Sequence, residues 1–247
     1  MVMTLQEFFK AHPKVALGFS GGVDSSFLLY AAKQAGADVR PYFAKTQFQP
    51  QFELEDAKRL AEQVGVALTV LPYDVLPAAG FNPPDRCYYC KTALFGALVE
   101  RAKADGYDTI IDGTNASDDA GDRPGMKALQ EMQVLSPLRL CGLTKQDIRE
   151  KSKEAGLFTW NKPSYACLAT RFPAGVQITE AGLQKVEQAE GALFQLGFTD
   201  FRVRVFHNAA RIQLPKNQME RGLSMRQEIL AQLRPLFDGV FLDLEGR

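Results

Sequence analysis

Along the first two-thirds of the chain, short apolar runs alternate with longer stretches whose apolar residues recur at helical spacing. The run Val15-Ala16-Leu17-Gly18-Phe19 is continuous, which predicts a strand buried on both faces, and residues 25–34 predict the helix after it. Residues 39–43 and 67–71 predict two more strands around a helix at 52–65. A helical pattern at 86–103 leads to a fourth strand at 109–112. Residues 144–156 carry a capping Thr144, Asp147 at the third helical position and a closing glycine. Strands alternating with helices in this way make an α/β fold, a doubly wound parallel sheet with helices on both faces.

The pattern breaks after Gly156. Residues 157–177 have no sustained period and contain two prolines, and irregular stretches this long inside compact proteins are often functional. Beyond them lie a helical pattern at 179–196, alternating runs at 201–206 and 209–214 that predict a hairpin, a helical pattern at 217–236 and a last strand at 240–244. The expected organisation is an α/β domain over 1–162, a loop over 163–178 and a smaller α+β domain over 179–247.

Composition changes little: 46% hydrophobic and 23% charged residues are ordinary globular values. Lys+Arg and Asp+Glu both number 29, so no net charge draws the chain to nucleic acid or a membrane surface. The N-terminal segment lacks the apolar core of a signal peptide, and no apolar run approaches the roughly 18 residues of a membrane span. These features predict a cytoplasmic protein without a membrane partner. Four cysteines in such a chain point to metal-binding, catalytic or buried thiols rather than disulfides.

The first strand runs into SGGVDSS, residues 20–26, and then into a helix. Gly21 and Gly22 let the backbone turn sharply against a ligand, the helix N-terminus favours an anion, and Ser20, Ser25 and Ser26 can add hydroxyl donors. The lysine of a Walker loop is absent. A second polar loop, DGTNASDD, follows the fourth strand; alone, Gly113, Thr114 and Asn115 read as a turn and Arg123 as either a phosphate ligand or a solvated side chain. The seven-residue loop resembles the pyrophosphatase loop (PP-loop) of ATP-using adenylylating enzymes. That resemblance implies that residues 20–26, including Val23, hold the β,γ-phosphates of ATP, with Gly18, Phe19, Gly113, Thr114 and Asn115 completing the nucleotide site. A substrate oxygen would attack the α-phosphate and pyrophosphate would leave. Asp24 either holds Mg²⁺ or orients the loop, or else is a capping carboxylate in the first turn of the helix.

In PPDRCYYCK, Cys87 and Cys90 sit three apart at a predicted helix start, where Asp85 can cap, and so share a face. A CxxC alone could be a redox pair, half a metal site or packing. Cys141 ends an apolar stretch and reads as a core residue, whereas Cys167 lies in the unpatterned loop with Arg171 four residues on. The segments RCYYCK, DGTNASDD, RPGMKAL, SPLRLCGLTKQDIR, NKPSYACLATR and RVRVFHNAARI, in this order, resemble the LarE family over nearly the whole chain. The resemblance implies an ATP-dependent sulfur transferase of nickel-pincer nucleotide biosynthesis that adenylylates a carboxylate of pyridinium-3,5-biscarboxylic acid mononucleotide. In one branch a single cysteine matching Cys167 gives up its sulfur. In the other three cysteines, here Cys87, Cys90 and Cys167, hold a 4Fe–4S cluster whose open iron carries a hydrosulfide. The family also includes ring-like homo-oligomers.

On the strand at 201–206, Arg202 and Arg204 share a face, and the hairpin puts Arg211 directly opposite or diagonal to Arg204. Like charges there are unfavourable without an anion between them, so Arg202, Arg204 and Arg211, helped by Arg171, are a candidate phosphate or carboxylate site. Trp160 and Tyr165 either pack or stack on a pyridinium ring; His207 reads as a turn residue. Competing functions are a tRNA thiolase, a nucleotide-binding protein with structural zinc, and an amide-forming ligase, the last leaving the cysteine trio without a use.

Overall fold

In the computed structural model, which describes residues 3–118 and 124–247, the chain falls into two compact units. The first comprises residues 1–79 and 85–162, the second 80–84 and 163–247.

The first unit runs α1 (Leu5–Ala11), β1 (Lys14–Gly18), α2 (Val23–Gln34), β2 (Asp38–Lys45), α3 (Gln51–Val64), β3 (Thr69–Pro72), α4 (Leu76–Ala79), α5 (Arg86–Ala104), β4 (Ile110–Asp112), α6 (Pro124–Glu131), α7 (Pro137–Leu140) and α8 (Lys145–Glu154). All strand pairs are parallel, in the order β3-β2-β1-β4. This is the α/β architecture the alternation predicts. Successive side chains of a strand point to opposite faces. Accordingly Val15, Leu17 and Phe19 enter one core with Leu28 and Leu29 of α2, Leu60 of α3 and Ile148 of α8. Ala16 enters a second core with Leu98 and Ala102 of α5 and Leu129 of α6. Burial on both faces is why β1 reads as an unbroken apolar run.

The order also locates the site. The chain moves outward from β1 through β2 to β3, then returns to place β4 on the other side of β1, with Gly18 beside Asp112. Strand order reverses between β1 and β4, and ligands of open α/β sheets bind beyond the carboxyl ends at such a point. Both candidate loops leave the sheet there.

In the second unit α9 (Glu180–Gln195) is followed by β5 (Arg202–Phe206) and β6 (Ala209–Gln213), an antiparallel hairpin, and β7 (Gly239–Leu242) pairs parallel to β6. The hairpin turns at His207-Asn208, with His207 at φ 55°. The predicted single helix at 217–236 is instead α10 (Met219–Ser224) and α11 (Arg226–Leu233), broken at Met225. The Ser224 hydroxyl donates to the Arg221 carbonyl at 2.9 Å, the side-chain competition with the backbone that weakens a helix. The irregular segment 157–177 contains two 3-10 turns, Phe158–Asn161 and Leu168–Arg171. No helix among the described residues is long and apolar enough to cross a membrane.

Candidate active site

Gly18 ends β1 where a Cβ would stand 2.9 Å from the Phe95 ring, and the Phe19 N–H still donates to the Tyr42 carbonyl at 2.9 Å. The chain then turns back on itself. The Ser20 and Ser25 hydroxyls lie 3.1 Å apart, the Ser20 N–H donates to Ser25 Oγ at 3.3 Å, and Ser25 Oγ donates to the Gly22 carbonyl at 3.2 Å. Gly21 at the bend has φ +69°, and a Cβ there would be 3.2 Å from the Ala57 backbone. Gly22 caps α2 without a side-chain hydrogen bond, so the first-turn amides keep the donors an anion uses. The Ser26 hydroxyl is buried without a partner. Gly21→Val combines a left-handed φ that a β-branched residue rarely adopts with a tight approach to the Ala57 backbone. On the PP-loop resemblance of this segment, the expected loss is about ten- to hundredfold in ATP affinity, read by calorimetric titration.

The second loop is pressed onto the first. A Cβ on Gly113 would lie 2.9 Å from the Ser25 nitrogen, so only glycine lets the segment after β4 reach α2. Asn115 is buried and donates from Nδ2 to Asp24 Oδ1 at 3.3 Å, while Lys145 of α8 places its ammonium on Asp24 Oδ2. Asp24 is therefore a strut between the two loops. Thr114 turns its hydroxyl to Asp112 at 2.5 Å, and Ser136 donates to the same carboxylate at 2.6 Å. Arg123 lies outside the described residues. Sequence reasoning missed Lys145, and also Lys162, whose Nζ lies 2.6 Å from Asp56 and 3.4 Å from the Gly21 carbonyl. Neither lies in the loop motif, and only the fold carries them to it.

Cys87 is exposed and Cys90 half-buried in the first turn of α5, on one face of the helix. Asp85 precedes them but forms no side-chain cap, since its backbone at φ −93° and ψ 19° is outside the extended region that capping uses. Cys141 packs against the first core, where burial pushes its thiol above the ordinary range. None of the four cysteines forms a disulfide. Among the described residues no group of three or more His, Cys, Asp or Glu is gathered as a metal site: Cys87 and Cys90 stand in the first unit and Cys167 in the second.

Cys167, half-buried, opens the 3-10 turn Leu168–Arg171, and its carbonyl accepts from the Thr170 hydroxyl at 2.8 Å and from Arg171 at 3.4 Å. Arg171 departs from the anion-binding expectation. It is 1% exposed, with Nε and Nη2 on Glu190 at 2.8 and 3.0 Å and Nη1 on the Ala166 carbonyl and Thr170 hydroxyl at 2.9 and 2.7 Å. A guanidinium spent in this way braces the cysteine turn rather than facing a ligand. Glu190 also accepts from the Val203 N–H at 2.8 Å and from the Tyr165 hydroxyl. The Tyr165 ring is itself covered by Arg171 and Arg202, at 4.7 and 5.1 Å. Trp160, half-exposed in the first unit, lies 5.0 Å from the Lys153 ammonium.

Arg202 is also buried, donating to the Phe201 and Ser164 carbonyls at 2.6 and 2.7 Å; burial, with Arg171 and Arg247 nearby, pulls its pKa down to about 10. Arg204 and Arg211 are direct cross-strand partners. Arg204 spends Nε on Gln213 and Nη1 on the Thr170 carbonyl, at 2.6 and 2.7 Å. The anion that such a pair demands is partly internal. Asp243, just past β7, lies 3.5 Å from Arg211 Nε and accepts from Gln213 at 2.7 Å, and these contacts hold its carboxyl below the usual range, the Gln213 hydrogen bond most of all. Arg211, 43% exposed, is the arginine of this face most open to a ligand.

No protein-family model matches the chain. A parallel sheet with a glycine-serine loop opening α2 at its switch point nevertheless defines an α/β protein of the PP-loop class. The chain is 36% identical to an uncharacterized protein of Synechocystis over 98% of its length and 92% of the relative's. It is 34% identical to the pyridinium-3,5-bisthiocarboxylic acid mononucleotide synthase of Lactiplantibacillus plantarum, over 98% and 90% of the two chains. It belongs to that synthase's family, LarE. More distantly, it is 29% identical to the tRNA-specific 2-thiouridylase MnmA of Clostridium perfringens over 70% of this chain and 60% of that one.

Proposed function

We propose that the chain is an ATP-dependent sulfur transferase that adenylylates a small-molecule carboxylate. The observation that carries this reading is the loop at the β1/β4 switch point, with an uncapped α2 N-terminus and glycines at both close approaches. Amides of the loop and the hydroxyls of Ser20, Ser25 and Ser26 receive the β,γ-phosphates. A carboxylate oxygen of the substrate then attacks the α-phosphorus and pyrophosphate leaves. Asp24 holds the loop through Asn115 and Lys145, and its carboxylate would supply an oxygen ligand to the Mg²⁺ that accompanies ATP. Sulfide attacks the acyl carbon of the adenylate, and AMP departs with the carboxyl oxygen. The substrate is pyridinium-3,5-biscarboxylic acid mononucleotide or a close analogue, because the Lactiplantibacillus relative is named for the bisthio product. Its phosphate suits Arg211 and Arg204, with Asp243 yielding to it.

Three thiols, none in a disulfide and none on a fully buried residue, have the donor chemistry of an iron–sulfur site. A 4Fe–4S cluster held by Cys87, Cys90 and Cys167 would supply exchangeable sulfide to this reaction. Anaerobically purified protein should then contain about four irons and matching acid-labile sulfide per chain. The function is tested by pyrophosphate release, which should require the biscarboxylate. Release that requires tRNA instead would favour the thiolase reading, to which the 2-thiouridylase relative lends support.

A further inference from the structure

The loop is a phosphate cradle without a lysine of its own, yet α8 and the turn after it bring two lysines to it. Lys145, the first residue of α8, sits on Asp24, and its backbone N–H donates to Ser117 Oγ at 3.0 Å. One turn on, Arg149 donates to the carbonyls of Trp160 and Lys162 at 2.7 and 2.9 Å, fixing the end of the turn Phe158–Asn161. Lys162 then reaches back, its side chain 15% exposed, to Asp56 at 2.6 Å and the Gly21 carbonyl at 3.4 Å, with the Phe52 ring 5.6 Å away. Gly21 itself packs on Ala57, the neighbour of Asp56. The ammonium and the tightest bend of the cradle are thus one cluster.

An ammonium has three donors, and Asp56 and Gly21 take two. The ammonium thus adds positive charge beside the bend at Gly21, next to the α2 N-terminal amides that an anion would meet. We propose that Lys162 is a triphosphate-binding residue, supplying from beyond α8 the positive charge that a Walker loop carries within itself. Arg149 positions Lys162 and Lys145 positions Asp24, so residues one helical turn apart on α8 set the charge on both sides of the cradle. Asp56 holds the ammonium at the loop until phosphate arrives. This inference rests on the reading of residues 20–26 as an ATP-binding loop.

Calorimetric titration of ATP and of pyrophosphate into wild-type, Lys162→Met, Lys162→Arg and Asp56→Asn proteins decides it. Lys162→Met should weaken both ligands about ten- to hundredfold, the loss of one charge-assisted hydrogen bond. Lys162→Arg should recover most of that loss. Asp56→Asn, which breaks the ion pair but keeps the ammonium, should bind both ligands at least as tightly as wild type. Unchanged pyrophosphate affinity in Lys162→Met overturns the proposal. So does an Asp56→Asn protein that loses as much as Lys162→Met, because the ion pair would then serve only to hold the loop's shape. Wild-type protein that binds neither ligand refutes the loop reading itself, and this inference with it.

Discussion

Cys167→Ala protein should still bind ATP but deliver no sulfur, a drop of more than about a thousandfold in thiocarboxylate formation. Cys141→Ala should work as wild type does, since that thiol packs against the core with its pKa raised by burial. The contrast is large because the two side chains have different surroundings. Cys167 opens a turn whose carbonyl is held by Thr170 and Arg171, whereas Cys141 packs against the first core. Replacing Cys87 or Cys90 separates the two branches of the chemistry. If the three thiols act together, each substitution abolishes both iron binding and sulfur transfer. Full transfer by Cys87→Ala protein, with Cys167 converted to dehydroalanine during turnover, would instead make Cys167 a sacrificial donor. Chromatographic assay of the product and intact-mass measurement of the protein distinguish these outcomes.

The second large effect lies in the Arg171–Glu190 pair. Both side chains are almost wholly buried, 0% and 2% exposed, and hydrogen-bonded twice to each other. Removing one partner strands the other's charge in the core. Arg171→Met and Glu190→Gln should therefore each cost about 3–5 kcal/mol in denaturant unfolding. The double variant Arg171→Met/Glu190→Met should cost less than the sum of its single steps, because no charge is then left unpaired. Single variants that unfold within about 1 kcal/mol of wild type would show that the pair is not the brace of the Cys167 turn. Glu190 carries a further load, since it also receives the Val203 N–H and the Tyr165 hydroxyl and so ties α9 to β5 and to the cysteine loop. Glu190→Gln keeps the shape but halves the acceptors, and it should lower sulfur transfer along with stability.

Elements with strong local signals were legible. The continuous run at Val15 to Phe19 reports burial on both faces, and the Thr144–Asp147 capping box forms as its spacing predicts. The same box at Thr4 and Glu7 caps the seven-residue α1. The break at Met225 was not legible, because the pattern at 217–236 is helical throughout and Ser224 turns against it only through its own hydroxyl. Among site residues, the glycines and serines of the loop were readable because a turn and a helix start need those types at that spacing.

By itself the sequence determined the parallel sheet, the glycine-serine loop at the end of its first strand and the placing of Arg204 and Arg211 on one face of a hairpin, opposed or diagonal, since all three depend on side-chain period and nearest neighbours; the direct register came from the structure. Only the tertiary structure decided which charges are spent. Arg171 is taken by Glu190, 19 residues away, Asp24 by Lys145 across 121 residues, and the arginine face in part by Asp243. Charged side chains reach their partners through space and must be paired once buried, whereas periodicity constrains only which way a residue points, not what it meets.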